Sequence, residues 1–461
     1  MQKLIAKYGL AVHLAGLAVA PLFLFPYFAA GTMAIVLLWL TAYAVVWLLL
    51  APSVHAGEYV HAARRRVLAT IVQDPFFWIL VAFVVLAGVT ALNTGIRLAY
   101  DAENSHWFVS SAVLSFFPGC VGKSGFLPFA TLFAGLVILM ACRHALGRSA
   151  RMMFLLVASM ATGIAASAAL LAAFFGVAGA RAEMFFSDSS CTCVGFAFGI
   201  HFLATLVVLL VSFERQWNLI AAVLIFALGG NAVGVFAFAP PLVSAAIATI
   251  GLLLLALTFA FAYAKLGLPR SLRMLVVVVI ALTLGGLAAV TLLPEEVLAA
   301  RLTAFQTLML TSGDFWVRRA TGSAIALKSW LSHLWIGTGI GSYSLDFNFG
   351  ASAADLQAFP RGLVQVANGW WQILAERGLI GFISFVAPLC FLIWVWATRM
   401  ICGAKSDLLH PACLLAPILF LLFVVAGFFD CSFLRAEVLM SVYALGAISA
   451  GAFRRVTGNG R

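Results

Sequence analysis

Two sets of residues in this chain have the types and spacing that chemistry needs. Arg318 and Arg319 stand together at the start of a helix-forming run. Paired guanidinium groups at a helix start suit a phosphate or pyrophosphate, because Arg offers fixed bidentate donors and the helix N-terminus adds a positive dipole. Lipid headgroup contact or ion pairing to Asp314 would use the same residues, so both readings stand open. The second set is Gln365, Asn368, Gln372 and Glu376, whose spacing of 3, 4 and 4 places them on one helix face. Such a stripe could hold a hydroxylated ligand such as a sugar, with Trp370 and Trp371 offering faces for stacking. Equally, the tryptophans could form an interfacial belt while the stripe faces water. Between the two sets lies Gly337-Thr-Gly339-Ile-Gly341. No strand–turn–helix unit surrounds it, so a tight turn against neighbouring backbone is expected rather than a dinucleotide loop.

These residues must be positioned by a membrane bundle. Of 461 residues 64% are hydrophobic and 9% charged, and mean hydropathy is +1.11. That composition excludes a soluble globular domain and predicts an all-α polytopic fold. Apolar runs predict twelve spans, at about 10–29, 32–51, 76–95, 125–141, 152–175, 195–213, 218–238, 241–264, 274–293, 379–398, 411–429 and 438–453. The first is expected to be a retained span rather than a signal peptide. With the N-terminus cytoplasmic, seventeen Lys/Arg and four Asp/Glu fall inside, against ten and twelve outside. The faces then carry +13 and −2, which account for the net +11. The expected organisation is a nine-helix membrane region (1–293), a large outer loop containing short helices (294–377), and a three-helix membrane region with a cytoplasmic tail (378–461).

Within the loop, Pro294-Glu295-Glu296 opens a predicted amphipathic surface helix carrying Leu298, Leu302, Phe305 and Met309, with Arg301 beside its polar face. A second helix is predicted from about Trp316 to His333, and a third from about Leu363 into span ten.

Other classes find little support. The basic charge is a topology signal, and no basic face with interleaved aromatics points to nucleic acid. No Cys/His spacing resembles a zinc site. No Asp, Glu, Lys or Arg falls inside the twelve predicted spans, which argues against an ion-coupled transporter. His13, Asn93, His201 and Asn231 are expected to make interhelical hydrogen bonds or sit at the interface, and the small residues near Ala161 and Gly229 to allow close packing. Cys120, Cys191, Cys193 and Cys431 fall on the outer side, where either a disulfide or free thiols would fit.

Two strings carry a family resemblance: Trp330 to Tyr343 (WLSHLWIGTGIGSY) and Val366 to Phe382 (VANGWWQILAERGLIGF). They resemble the O-antigen ligase and Wzy-type O-antigen polymerase family of bacterial membrane glycosyltransferases. That family shows an Arg, an apolar helix, a D-H-P-L-x-G-x-G-like turn, then H-N-x-x-L-x-x-L-x-E-x-G-x-x-G leading into a span. Here Arg319 precedes Ala326-Leu327, Ser332 to Gly339 matches the turn, and Asn368 to Gly381 matches the run through Leu374, Glu376, Gly378 and Gly381. Two positions depart: Ala367 stands where the ligases carry His, and Leu334 replaces the Pro of the turn. Glu376, His106 and His333 are candidate substitutes for that His.

The resemblance implies transfer or polymerisation of an undecaprenyl-pyrophosphate-linked glycan at the periplasmic face of the bacterial inner membrane, in O-antigen or exopolysaccharide biosynthesis. No cofactor or metal is implied. The acceptor would be a glycan or lipid A-core, with membrane lipids, chain-length regulators and flippases as candidate partners. Catalysis would rest on Arg319, Glu376 and Asn368. Arg318, Arg301, Arg361, Gln372, Trp371 and His333 would bind substrate. A leaving group already this good needs charge neutralisation and positioning more than a strong base. The competing readings are a transporter or channel for a small anion, and a membrane scaffold without activity.

Overall fold

A computed structural model describes residues 2–24, 30–50, 68–93, 97–101, 106–110, 120, 125–146, 148–174, 189–214, 218–238, 241–292, 295, 299, 303, 313–343, 347, 351–353, 355, 366, 368–402, 420–424, 427, 439, 440, 442, 443 and 446. The bundle is built from α1 (Gln2–Leu24), α2 (Ala30–Leu50), α3 (Pro75–Leu92), α4 (Phe126–Met140), α5 (Arg148–Phe174), α6 (Ser189–Glu214), α7 (Asn218–Phe238), α8 (Pro241–Leu266) and α9 (Leu268–Leu292). Then come α10 (Gly313–Ser332) and the long α11 (Gly369–Cys402). Among the described residues seven helices are long and apolar enough to cross a membrane, where the hydropathy runs predict twelve. Predicted spans eleven and twelve fall largely outside those residues.

The helices are longer than the predicted apolar runs, which themselves hold no Asp, Glu, Lys or Arg, and so take in charged residues at their flanks. Arg143, Arg151, Arg273 and the Glu376–Arg377 pair lie within them. The helices run past the apolar segments into polar flanks, because helix formation needs only compatible residues and not continuous hydrophobicity.

Among the described residues one strand pair stands apart from the helices. Strands β1 (Arg97–Asp101) and β2 (His106–Ser110) pair antiparallel, with Asp101 opposite His106 and Arg97 opposite Ser110. The five-residue runs RLAYD and HWFVS are short and rich in aromatic and β-branched residues. A search for long spans passes over them.

Helix α7 packs on α5, α6 and α9. Its GGNAVG sequence makes this possible. A Cβ on Gly230 would meet the Gly163 carbonyl oxygen at 2.6 Å, and one on Gly285 the Gly229 oxygen at 2.8 Å. Asn231 occupies the same seam, fully buried. Its Nδ2 donates to the carbonyls of Ala227 (2.8 Å) and Ser159 (3.3 Å) and to Thr205 Oγ1 (3.4 Å), tying α5 to α6 and α7. His13 Nε2 bonds the Leu40 carbonyl at 3.1 Å, joining α1 to α2. Both match the expected interhelical roles. A cavity of about 340 Å³ opens among α6, α7, α8 and α9. It is lined by apolar side chains such as Phe202, Phe236, Leu252 and Leu282, with Ser244 at its wall.

Helices α3 and α4 are clasped at the end away from the loop. Asp74, with Pro75 as the first helical residue, caps α3 by accepting from the Phe76 N–H at 3.1 Å. Its carboxylate also receives Arg143 Nε and, at 2.9 Å, His144 Nε2. Both come from a π-helical turn, Ala141–Ala145, that continues α4. Burial would push the Asp74 carboxyl up, but the hydrogen bonds from His144 and Arg143, the Arg143 charge and the Phe76 N–H together bring it down to about 2.

Candidate functional site

The two motif strings meet at Gly378. There α11 breaks: Gly378 has φ 63° and ψ −169°, a conformation that only glycine adopts readily. The break deprives four backbone groups of the partners a continuous helix would give them. Each finds a substitute in the glycine turn. Leu379 N donates to Leu334 O (2.9 Å) and Ile380 N to Trp335 O (3.0 Å). In return Thr338 N donates to Ala375 O (2.9 Å) and Gly339 N to Glu376 O (2.9 Å). Thr338 Oγ1 adds a bond to Ala375 O at 3.1 Å.

The glycines follow from this geometry. A Cβ on Gly337 would lie 2.5 Å from Arg377 N and Gly378 N, and one on Gly378 would lie 2.4 Å from Ile336 N. Gly337, Gly339 and Gly341 all have positive φ. The turn against neighbouring backbone expected from the sequence is what this segment forms. It is further pinned by a parallel bridge between Ile340 and Cys120, whose N–H donates to Asn93 O at 3.1 Å. Cys120 is thus a buried thiol rather than half of a disulfide, and burial pushes its pKa up. The side chains of Cys191, Cys193 and Cys431 lie outside the described residues.

The loop has a core of its own. Ile325, Ala326, Tyr343, Phe347, Val366 and Ala375 cluster, with Ala351 and Trp371 against them. Tyr343 is fully buried and its hydroxyl donates to Gly322 O at 3.0 Å. Burying a side chain of this size contributes roughly 2 kcal/mol. The cluster holds α10 on the start of α11. Arg319 therefore sits, half-buried, on the helix that packs against Gln372 and Glu376's own helix.

The predicted stripe does not face water. Helix α11 starts at Gly369 rather than at about Leu363, because Asn368 caps it there. Asn368 Oδ1 accepts from Trp370 N at 3.0 Å and Trp371 N at 3.4 Å. One and two turns on, Gln372 and Glu376 are 7% and 5% exposed, and Gln372 Nε2 donates to Glu376 Oε1 at 3.1 Å. Glu376 also lines a cleft of about 10 Å³, room for about one water, with Arg377, Phe83, Thr90, Ile336 and Ile340. Arg377 lies over the Phe83 ring at 5.7 Å.

The tryptophans divide. Trp370 locks into the bundle: its Nε1 donates to Val424 O at 3.3 Å and its ring meets Phe382 and Phe423 edge-on. Trp371 instead belongs to the loop core, its ring 6.2 Å from that of Trp330. His333 is exposed, with Nδ1 3.0 Å from Ser332 Oγ, and its carbonyl accepts from Gly337 N at 2.9 Å.

The structure thus brings Asn368, Trp371, Gln372 and Glu376 together on α11 and packs the helix of Arg319 beside them. His333 sits at the foot of the turn. Arg301, Arg361 and Gln365 lie outside the described residues, as does the side chain of Arg318. The amphipathic helix predicted after Pro294 is described only at Glu295, Ala299 and Thr303, which are helical, with Thr303 Oγ1 donating to Ala299 O at 2.8 Å. In the sequence Gly378 is legible only as a matching motif position, and Arg377 carries no expected role at the site, although it stands beside Glu376. The break in α11 at Gly378 falls at the expected boundary between loop and membrane region at 377/378. No protein-family model matches the chain, and no characterised protein matches it in sequence.

Proposed function

We propose that the protein is an integral membrane glycosyltransferase. It polymerises or transfers undecaprenyl-pyrophosphate-linked glycan at the periplasmic face of a bacterial inner membrane, with both termini cytoplasmic. The observation that carries this reading is the backbone exchange between Leu334–Gly339 and Ala375–Ile380, which joins the two strings that resemble the O-antigen ligase and polymerase family. On this reading Arg319, aided by Arg318, neutralises the pyrophosphate as the glycosyl bond breaks. Gln372 and Glu376, hydrogen-bonded to each other, together orient the acceptor hydroxyl. The apolar cavity among α6–α9 offers the polyprenyl chain a dry place in the bilayer.

The test is a gel of lipid-linked and surface glycans from a deletion strain carrying wild type or Arg319→Ala. A polymerase variant accumulates single lipid-linked repeat units. A ligase variant accumulates long lipid-linked chains that never reach their acceptor. Profiles identical to wild type end the glycan reading.

A further inference from the structure

The Gln372 side chain leaves one atom unmet. Its Nε2 is given to Glu376 Oε1 at 3.1 Å, while its Oε1 is buried without a hydrogen-bond partner. The identity of that unmet atom is fixed by chemistry. A carboxylate can only accept, so the amide must turn its NH₂ toward Glu376 and its oxygen away. The vacancy is therefore for a donor. Leaving a buried acceptor unsatisfied costs about 1–3 kcal/mol, and such atoms at a site are commonly completed by a ligand or water.

The surroundings narrow the donor. At that point the unmet amide oxygen itself disfavours an anionic group, while the Glu376 carboxylate, 5% exposed, shares its cleft with the Arg377 guanidinium. Trp371, the residue before Gln372, faces Trp330 with ring centroids 6.2 Å apart. A neutral hydroxyl, such as a sugar offers, is a donor of the kind that this oxygen lacks. Asn368, one turn back, closes the other end by capping the helix.

We infer that Gln372 Oε1 is the hydroxyl-recognition point of the acceptor glycan, that Glu376 serves it as a positioning residue by fixing the amide, and that the sugar bound there is uncharged. This rests on the glycosyltransferase reading and deepens it. The anionic donor and the neutral acceptor would then be sorted by opposite chemistry, guanidinium on α10 and carbonyl oxygen on α11.

The test is calorimetric titration of the purified full-length protein in detergent with four probes: maltotriose, chitotriose, permethylated maltotriose and trigalacturonic acid. In wild type at least one neutral trisaccharide should bind. Permethylated maltotriose, which has no O–H to donate, and the uronate should each bind about ten-fold more weakly or worse. Gln372→Leu should weaken the neutral probe by a similar factor. The comparison of probes on wild type stands even if that variant fails to fold. Equal affinity for the permethylated or anionic probe, or no binding by either neutral sugar, overturns the inference. The glycan gels of the Arg319 variant judge the underlying reaction separately, so either can fail while the other stands.

Discussion

Asn368 shows how one side chain can be read in two ways. In the sequence it belongs to a motif that implies catalysis. In the fold its Oδ1 accepts from Trp370 N and Trp371 N at the start of α11. The two roles separate experimentally. Asn368→Ala should lower stability by about 1 kcal/mol, whereas Asn368→Ser, another good cap, should restore most of it. Glycan transfer is expected to follow melting temperature across the pair. A serine variant that melts normally but transfers nothing would assign Asn368 to the substrate instead. Glu376 is different, because burial of a carboxylate needs compensation and Gln372 supplies part of it. The i, i+4 spacing of these two was plain from the sequence, but their burial was not. A polar stripe on a helix ordinarily faces water, and only the packing of α10 and the glycine turn hides this one.

At the scale of elements, the clasp between α3 and α4 and the broken α11 make distinct predictions. The Asp74 carboxyl is held at about 2, below its ordinary 3.8. A group depressed in this way stabilises the fold above the ordinary value and loses that contribution as pH falls through the depressed one. The contribution is about 2 kcal/mol. Melting temperature in detergent should therefore fall between about pH 4 and pH 2, and Asp74→Asn should lower it at neutral pH and flatten that part of the profile. At the break, Gly378→Ala adds a Cβ 2.4 Å from Ile336 N and demands a positive φ of 63°. The expected result is loss of transfer with the bundle still folded, read by size exclusion and by maleimide labelling of Cys120. That buried thiol should become reactive once its bridge to Ile340 is lost. The helical bundle, the glycine turn and α10 were legible because hydrophobic runs and glycine spacing are local signals. The β1–β2 hairpin, the start of α11 at Gly369 and the Gly378 break were not. The hairpin's strands are too short to stand out, the helix start depends on one cap, and the break is created by a partner segment distant in sequence.

Across the whole molecule, the loop is anchored to the bundle through Ala375, Glu376, Leu379 and Ile380. In an unbroken helix these four would satisfy one another, Leu379 with Ala375 and Ile380 with Glu376. A docked loop and a straight α11 are therefore alternatives that claim the same groups. Withdrawal of the loop need not leave α11 with open bonds, since the helix can close on itself. The consequence is an asymmetry in hydrogen exchange. The amides of Thr338 and Gly339 should exchange whenever the loop lifts, while those of Leu379 and Ile380 stay protected by the re-formed helix. Equal protection at all four would mean that the helix cannot straighten and that lifting the loop frays both strings together. The unequal pattern would make the glycine turn a detachable cover over Glu376, held by bonds that α11 can take back.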